Sequence, residues 1–330
     1  MTQFLGKCDA SVMADAAANL VAGNMVAFPT ETVYGLGADA CNAGAVARIY
    51  SVKGRPADHP LIVHVASMDA LGEWASDVPG YAISLARDFW PGPMTLIMKR
   101  SELAADFVTG GQDTVGVRVP DHAVALGLLE AFARAGGKGV AAPSANRFGS
   151  VSPTTAQAVA DELGEYLAEA DQILDGGPCE VGIESTIIDC TGNAPRILRP
   201  GALTVAMIEE STGLVVGDSA AVGGSAVNEE KIRVSGSLDS HYAPVAKVVL
   251  DLSPVAGQGF IARADVATPD GVVRLASPKS DDEFARILYA ALHAADEQGL
   301  QTVVVKQPAG DGIAIAIRDR LKRSSVRLQP

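Results

Sequence analysis

The sequence predicts an α/β protein: a mixed, strongly twisted sheet in the first 210 residues and a smaller α/β unit from residue 244 onward. Three observations lead there. Hydrophobic residues fill 48% of the 330 positions but aromatics only 5%, so Ala, Val and Gly carry the packing and helices can sit close to a sheet. Within the first 210 residues, short apolar runs outnumber helical segments, which disfavours a regular βαβ alternation. From Ser211 to Ser240, 11 of 30 residues are Gly or Ser, the composition of a linker. The expected division is a domain at 1–210, a linker at 211–243 and a second domain at 244–330.

Residues 11–23 carry helical apolar spacing, with Ser11 as candidate N-cap and Gly23 as the stop. Met25 to Phe28 is an apolar strand-like run ended by Pro29. Hydroxyls follow at Thr30 and Thr32, then Gly35 and Gly37, where the backbone can turn or come close to a ligand. A helix over 43–51 ends in Lys53-Gly54-Arg55-Pro56, and Leu61 to Val65 reads as a second buried strand. Residues 67–89 form two helical pieces split at Pro79-Gly80, and Trp90 reads as a core corner before the strand Met94–Met98. In the next strand Val115, Val117 and Val119 alternate with Thr114, Gly116 and Arg118, so Thr114 and Arg118 share a face. Arg118 is there either a solvated edge charge or a ligand clamp.

A helix over 122–134 leads to the buried run Gly139–Ala142 and directly into Pro143-Ser144-Ala145-Asn146. Helix capping accounts for Thr154 or Thr155 but not for Ser144 and Asn146, which follow a buried strand where ligands commonly bind. Further strands fall near Ile173, at Glu184–Asp189 and at Arg196–Arg199. Beyond the linker, strands near 246–250, 258–262, 271–275 and 301–305 alternate with helices near 281–298 and 310–323, the pattern of a small parallel sheet.

The net charge is −13, and residues 1–210 carry 13 Lys and Arg against 25 Asp and Glu. A basic footprint for nucleic acid is absent, so tight nucleic-acid binding is not expected. The four cysteines, Cys8, Cys41, Cys179 and Cys190, form no CxxC pair and fit neither a zinc site nor a disulfide framework, which suits a reducing compartment. No apolar run nears the ~18 residues needed to span a membrane, and the first residues lack a signal-peptide layout. The expectation is a cytoplasmic protein without membrane association.

Several nucleotide and hydrolase motifs are missing: GxxxxGK[ST], the third glycine of a dinucleotide fingerprint, HExxH and GxSxG. What remains is a set of cations and hydrogen-bonding groups: Thr32, Lys53, Arg55, His59, His64, Thr114, Arg118, Ser144, Asn146, Ser152, Ser185 and Arg199. Such groups suit a carboxylate and a polyphosphate, because phosphoryl and nucleotidyl transfer depend on positioning and charge stabilisation rather than on a protein nucleophile.

In order, PTETVYGLGADA, the K-x-R-P-x-x-x-P-L-I-x-H run from Lys53 to His64, FWPGPMTLI, VGVRVP, APSAN, ESTIID and ILRPG resemble the YrdC-like threonylcarbamoyl-AMP synthases, over about residues 10–208. The His-Tyr-Ala-Pro run at 241–244 and the α/β unit after it resemble the long form of that family. The approach to that run, Ser235 to Ser240, departs from the family's Pro-Gly-Met-like approach and basic residue.

The resemblance implies a twisted α/β sheet around a concave cleft, with a Rossmann-like C-terminal domain. It implies synthesis of threonylcarbamoyl-AMP and pyrophosphate from L-threonine, bicarbonate and ATP. A separate transferase, engaged transiently, then modifies tRNA next to the anticodon. Carried over by motif, the threonine pocket comprises Thr32, His64, Arg118, the backbone at Ala142, and Ser185. The ATP side comprises Arg55, His59, Thr114, Ser144, Asn146, Ser152, Arg199 and Tyr242, with Lys53 and Arg55 offsetting phosphate charge as the catalytic pair. Mg2+ accompanies the triphosphate, with no dedicated protein metal site. Two other readings stay open on sequence: a non-catalytic RNA-binding or ribosome-maturation factor, and a carbamoyl-transfer maturation module.

Overall fold

The computed structural model describes residues 3–5, 9–217, 232–236 and 242–326. Cys8, most of the Gly/Ser-rich linker, residues 237–240 and His241 lie outside the described residues. Ten strands make the first sheet: β1 (Gln3–Leu5), β2 (Val26–Phe28), β3 (Gly35–Asp39), β4 (Ile62–His64), β5 (Met94–Lys99), β6 (Thr114–Arg118), β7 (Val140–Ala141), β8 (Gln172–Leu174), β9 (Thr186–Asp189) and β10 (Arg196–Arg199). They lie in the order β1-β8-β2-β3-β7-β4-β6-β5-β9-β10, and parallel and antiparallel neighbours alternate irregularly. The expected mixed sheet is thus present.

Among the described residues eight α-helices flank it: α1 (Ala10–Val21), α2 (Ala43–Lys53), α3 (Leu71–Trp74), α4 (Gly80–Phe89), α5 (Asp106–Thr109), α6 (Ala123–Arg134), α7 (Ala156–Leu163) and α8 (Val205–Thr212). On one face α1 packs on α6, where Met13, Ala16 and Leu20 meet Leu128 and Phe132 in one apolar cluster. The N-cap of α1 is Asp9, not Ser11: its carboxylate accepts from Ser11 N at 3.0 Å and Val12 N at 3.1 Å, pairing two of the helix's orphan donors. Gly37 also differs from expectation. It lies inside β3, and a Cβ there would stand 2.8 Å from both Phe28 and Val140, so packing rather than ligand approach requires the glycine. Trp90 is a core corner as expected, with its indole donating to Met94 O at 2.8 Å.

The second sheet holds β11 (Lys247–Leu250), β12 (Gly259–Ile261), β13 (Val273–Ala276) and β14 (Thr302–Val305), in the order β11-β14-β12-β13 with every pair parallel. Two helices, α9 (Asp281–Glu297) and α10 (Ile313–Ser325), pack against each other and on this sheet. The cluster they bury also takes in Val33, Val151 and Ile183, so the smaller unit rests directly on loops of the larger one.

Candidate active site

Strand register starts the site. In the parallel pair β4–β6, His64 stands beside Arg118, and neighbouring residues on adjacent strands face the same side. Ile62, two residues before His64, shares that face. The three form part of the floor of a cavity of about 50 Å³. Its rim comes from Thr30, Thr32, Val33 and Tyr34 of the β2–β3 loop, from Gly35 at the start of β3, and from Ala142, Pro143 and Ser144 after β7. Glu184, Ser185 and Arg199 line another side, and Ser235, Gly236 and Tyr242 close it.

The hydroxyls after Pro29 form a relay. Arg118 Nη2 donates to Thr32 Oγ1 at 2.9 Å, Thr32 and Thr30 hydroxyls meet at 2.8 Å, and Thr30 Oγ1 donates to Val33 O at 2.7 Å. Arg118 Nη2 also lies 2.7 Å from Glu31 Oε1, an ion pair out of line for a hydrogen bond. Both side chains are buried. Burial, and then Arg118, push the His64 imidazole down to about 3, so the ring is neutral. Arg55 is lowered by burial to about 10 and stays cationic at neutral pH.

Three buried polar atoms around the cavity have no hydrogen-bond partner among the described residues: Arg118 Nε, Arg55 Nε and His64 Nδ1. Native interiors rarely leave such groups unpaired, and here they belong to side chains that line one cavity. The site therefore offers guanidinium donors and a neutral imidazole to an anionic ligand.

Of the fourteen site residues expected from sequence, nine line this cavity: Thr32, Arg55, His64, Arg118, Ala142, Ser144, Ser185, Arg199 and Tyr242. Lys53, His59, Thr114, Asn146 and Ser152 do not. Lys53 Nζ donates to Ser144 O at 2.7 Å and makes a short contact to Asn146 O, so the ammonium organises the loop that carries Ser144. Burial first, and then Arg55, lower its pKa well below the ordinary value. Asn146 Nδ2 braces the same loop through Arg147 O at 2.7 Å and Ser150 O at 2.8 Å. His59 packs edge-on to Phe148, Ser152 donates to Glu184 at 2.6 Å, and Thr114 lines an adjoining cleft under Arg233 to Ser235.

Sequence reasoning missed Glu31 and Glu184, although each sits inside a quoted motif, where an acid in an otherwise apolar or hydroxyl-rich run was the available signal. Glu184 is buried; burial alone would raise its pKa, but Arg320 and Arg199 outweigh it and hold the carboxyl at about 2. Ser235 was also missed. Arg55 Nη2 donates to its hydroxyl at 3.1 Å and Arg199 Nη1 to its carbonyl at 3.0 Å. Arg199 Nε and Nη2 also hold Ser185 O at 3.1 and 3.0 Å.

A twisted mixed sheet carrying a small cavity of cations and hydroxyls, backed by a second α/β unit, defines an α/β protein whose site has the chemistry suited to oxyanions. The family model described as "Telomere recombination" (Sua5–YciO–YrdC) matches residues 18–201, and the one described as "Threonylcarbamoyl-AMP synthase, C-terminal domain" matches residues 203–326. The threonylcarbamoyl-AMP synthase of Pyrococcus abyssi is 39% identical over 318 residues, spanning 92% of this chain and 91% of the relative. That of Bacillus subtilis is 39% identical over 331 residues, spanning 95% and 92%. The crystal structure of Pyrococcus abyssi Sua5 complexed with L-threonine superposes with a TM-score of 0.86 at 36% identity, covering 98% of this chain and 97% of that one. The chain belongs to the long-form threonylcarbamoyl-AMP synthase family, whose members are nucleotidyltransferase-type enzymes. Among the described residues no helix is long and apolar enough to cross a membrane.

Proposed function

We propose that the enzyme condenses L-threonine, bicarbonate and ATP into threonylcarbamoyl-AMP and pyrophosphate in the cytoplasm, and that a separate transferase carries the product to tRNA. The observation that carries this reading is that Arg118, Arg55 and His64, each with a buried nitrogen that has no hydrogen-bond partner among the described residues, line one cavity. Arg118 clamps the threonine carboxylate, a task suited to a planar guanidinium fork already braced by Thr32 and Glu31. Neutral His64 gives the substrate a hydrogen-bonding partner without a charge; a pKa of about 3 makes it a poor base at neutral pH. The neutral threonine amine takes up bicarbonate as a carbamate with loss of water, and a carbamate oxygen then attacks the α-phosphorus as pyrophosphate leaves. Arg55 and Arg199 offset the phosphate charge, while Lys53 keeps the Ser144 loop in place. Positioning and charge stabilisation dominate, and no covalent enzyme intermediate forms.

The cavity of about 50 Å³ is far below the ~300 Å³ at the lower end of ligand pockets. Ser235 occupies both nucleotide-side cations, so we infer that residues 232–236 and Tyr242 withdraw to admit substrates. The triphosphate then takes over the guanidiniums that Ser235 now holds. Glu31 and Glu184, the carboxylates nearest the cavity, are engaged by Arg118 and Arg320, so Mg2+ enters with the nucleotide as part of the substrate. The test is pyrophosphate release from ATP with threonine and bicarbonate omitted in turn. Release must require both; release that persists without either one refutes the reading.

A further inference from the structure

One guanidinium connects the C-terminal unit to the cavity wall. Arg320, on α10, is fully buried. Its Nε donates to Glu184 Oε2 at 2.7 Å and its Nη2 to Pro200 O at 3.0 Å, while Nη1 pairs with Asp319 at 2.6 Å. Glu184 immediately precedes Ser185, and Pro200 immediately follows Arg199, so Arg320 grips the chain next to two cavity-lining residues at once. Glu184 spreads the connection further. Its Oε1 accepts from Ser152 Oγ at 2.6 Å and its Oε2 from the Tyr289 hydroxyl at 2.9 Å.

The same two helices seat Tyr242, which lines the cavity. The Tyr289 ring stacks on it with centroids 5.8 Å apart, Arg320 lies 5.3 Å from its ring centroid, and Ser324 Oγ donates to its carbonyl at 2.8 Å. Joining two domains does not require this arrangement, since apolar side chains of equal volume hold an interface as well as a buried ion pair does. What a guanidinium adds is direction: a rigid fork fixes two chain segments at set angles. Two of the groups it steers, Arg199 and Tyr242, line the cavity on the nucleotide side of the proposed site.

We propose that Arg320 is a positioning residue for the nucleotide half of the site, through which the C-terminal domain completes a cavity it does not itself line. The proposal rests on the threonine, bicarbonate and ATP reading above. It concerns Arg320, Tyr289 and Ser324, none of which lines the cavity.

The experiment measures pyrophosphate release by full-length Arg320→Gln over ranges of ATP and threonine, with thermal melting of the same sample. The expected result is a KM for ATP raised at least tenfold, with the KM for threonine changed less than threefold. Ser185, on the threonine side, keeps a tether independent of Arg320, the Thr95 hydroxyl at 2.8 Å. A folded variant whose KM for ATP is unchanged overturns the proposal, whatever its melting temperature, and so does an equal rise for both substrates. If Arg320→Gln does not fold, Tyr289→Phe decides: it removes one oxygen and keeps the stacked ring. A threefold or greater rise in KM for ATP supports the proposal, and an unchanged value overturns it. Wild-type release that needs no threonine or bicarbonate instead brings down the functional reading, so the two failures are distinct.

Discussion

Replacing Arg118 separates the two halves of the pocket. Its guanidinium has two engagements, Nη2 with Thr32 at 2.9 Å and Nη2 with Glu31 at 2.7 Å, and its Nε has no hydrogen-bond partner among the described residues. Lysine in its place keeps a charge beside Glu31 but loses the fork. A hydrogen bond to a charged group contributes about 1.5–3 kcal/mol, so losing one to the threonine carboxylate lowers affinity about 10- to 150-fold. Arg118→Lys should raise the KM for threonine by that range and the KM for ATP by less than about threefold, since Arg118 touches no nucleotide-side group. Arg118→Ala is a harsher change. It strands Glu31, which is 4% exposed, and removing one partner of a buried pair destabilises by about 3–5 kcal/mol. The double variant Glu31→Gln/Arg118→Ala should recover much of that stability and none of the threonine use. Pyrophosphate release under varied threonine at saturating ATP, and the converse, reads both KM values; thermal melting reads stability. Equal rises for both substrates, or a loss of activity that follows unfolding alone, would refute the division of the pocket.

Two further predictions follow from buried groups and close contacts. His64 has a folded pKa of about 3 against an ordinary 6.5, so between those values the unfolded chain binds more protons. Its contribution is present above about pH 6.5 and is lost as the pH falls toward 3, with a slope approaching about 1.4 kcal/mol per unit. His64→Gln should flatten the fall in melting temperature between about pH 7 and pH 5; parallel curves for the two proteins would contradict the buried neutral ring. Gly236 has φ +79°, and a Cβ there would come within 2.1 Å of the Tyr242 hydroxyl. Gly236→Ala should therefore unseat residues 232–236, at about 1–3 kcal/mol of local strain, and, with Ser235 no longer competing for Arg55 and Arg199, lower the KM for ATP several-fold with little change in melting temperature. Unchanged kinetics would remove this segment from the closing of the cavity.

Local chemistry made much of this protein legible in sequence. Alternation in Thr114–Val119 placed Arg118 on the face opposite the valines, and the short run at β2 ended where Pro29 required. Ordered motifs brought nine of fourteen site residues to one cavity, because each motif is a strand end or a turn whose backbone is set by its own Gly, Pro and hydroxyl residues. What sequence could not show is which polar groups spend their hydrogen bonds on the protein. Lys53 resembles a free cation beside Arg55, yet its ammonium turns into two carbonyls of a loop ninety residues away. Glu31 and Glu184 carry no local pattern that marks them as buried partners of Arg118 and Arg320. Arg320 lies on a helix with Arg318, Lys322 and Arg323, where composition suggests a solvated face; only packing on Glu184 and Pro200 takes it fully out of water. The sequence alone determined most of the strands and turns, though not Gln3–Leu5 or Gly35–Asp39, and the chemical types gathered around residues 28–64 and 114–199. The tertiary structure decided which charges pair across the domains and which remain to meet a ligand, because burial and pairing depend on neighbours distant in the chain.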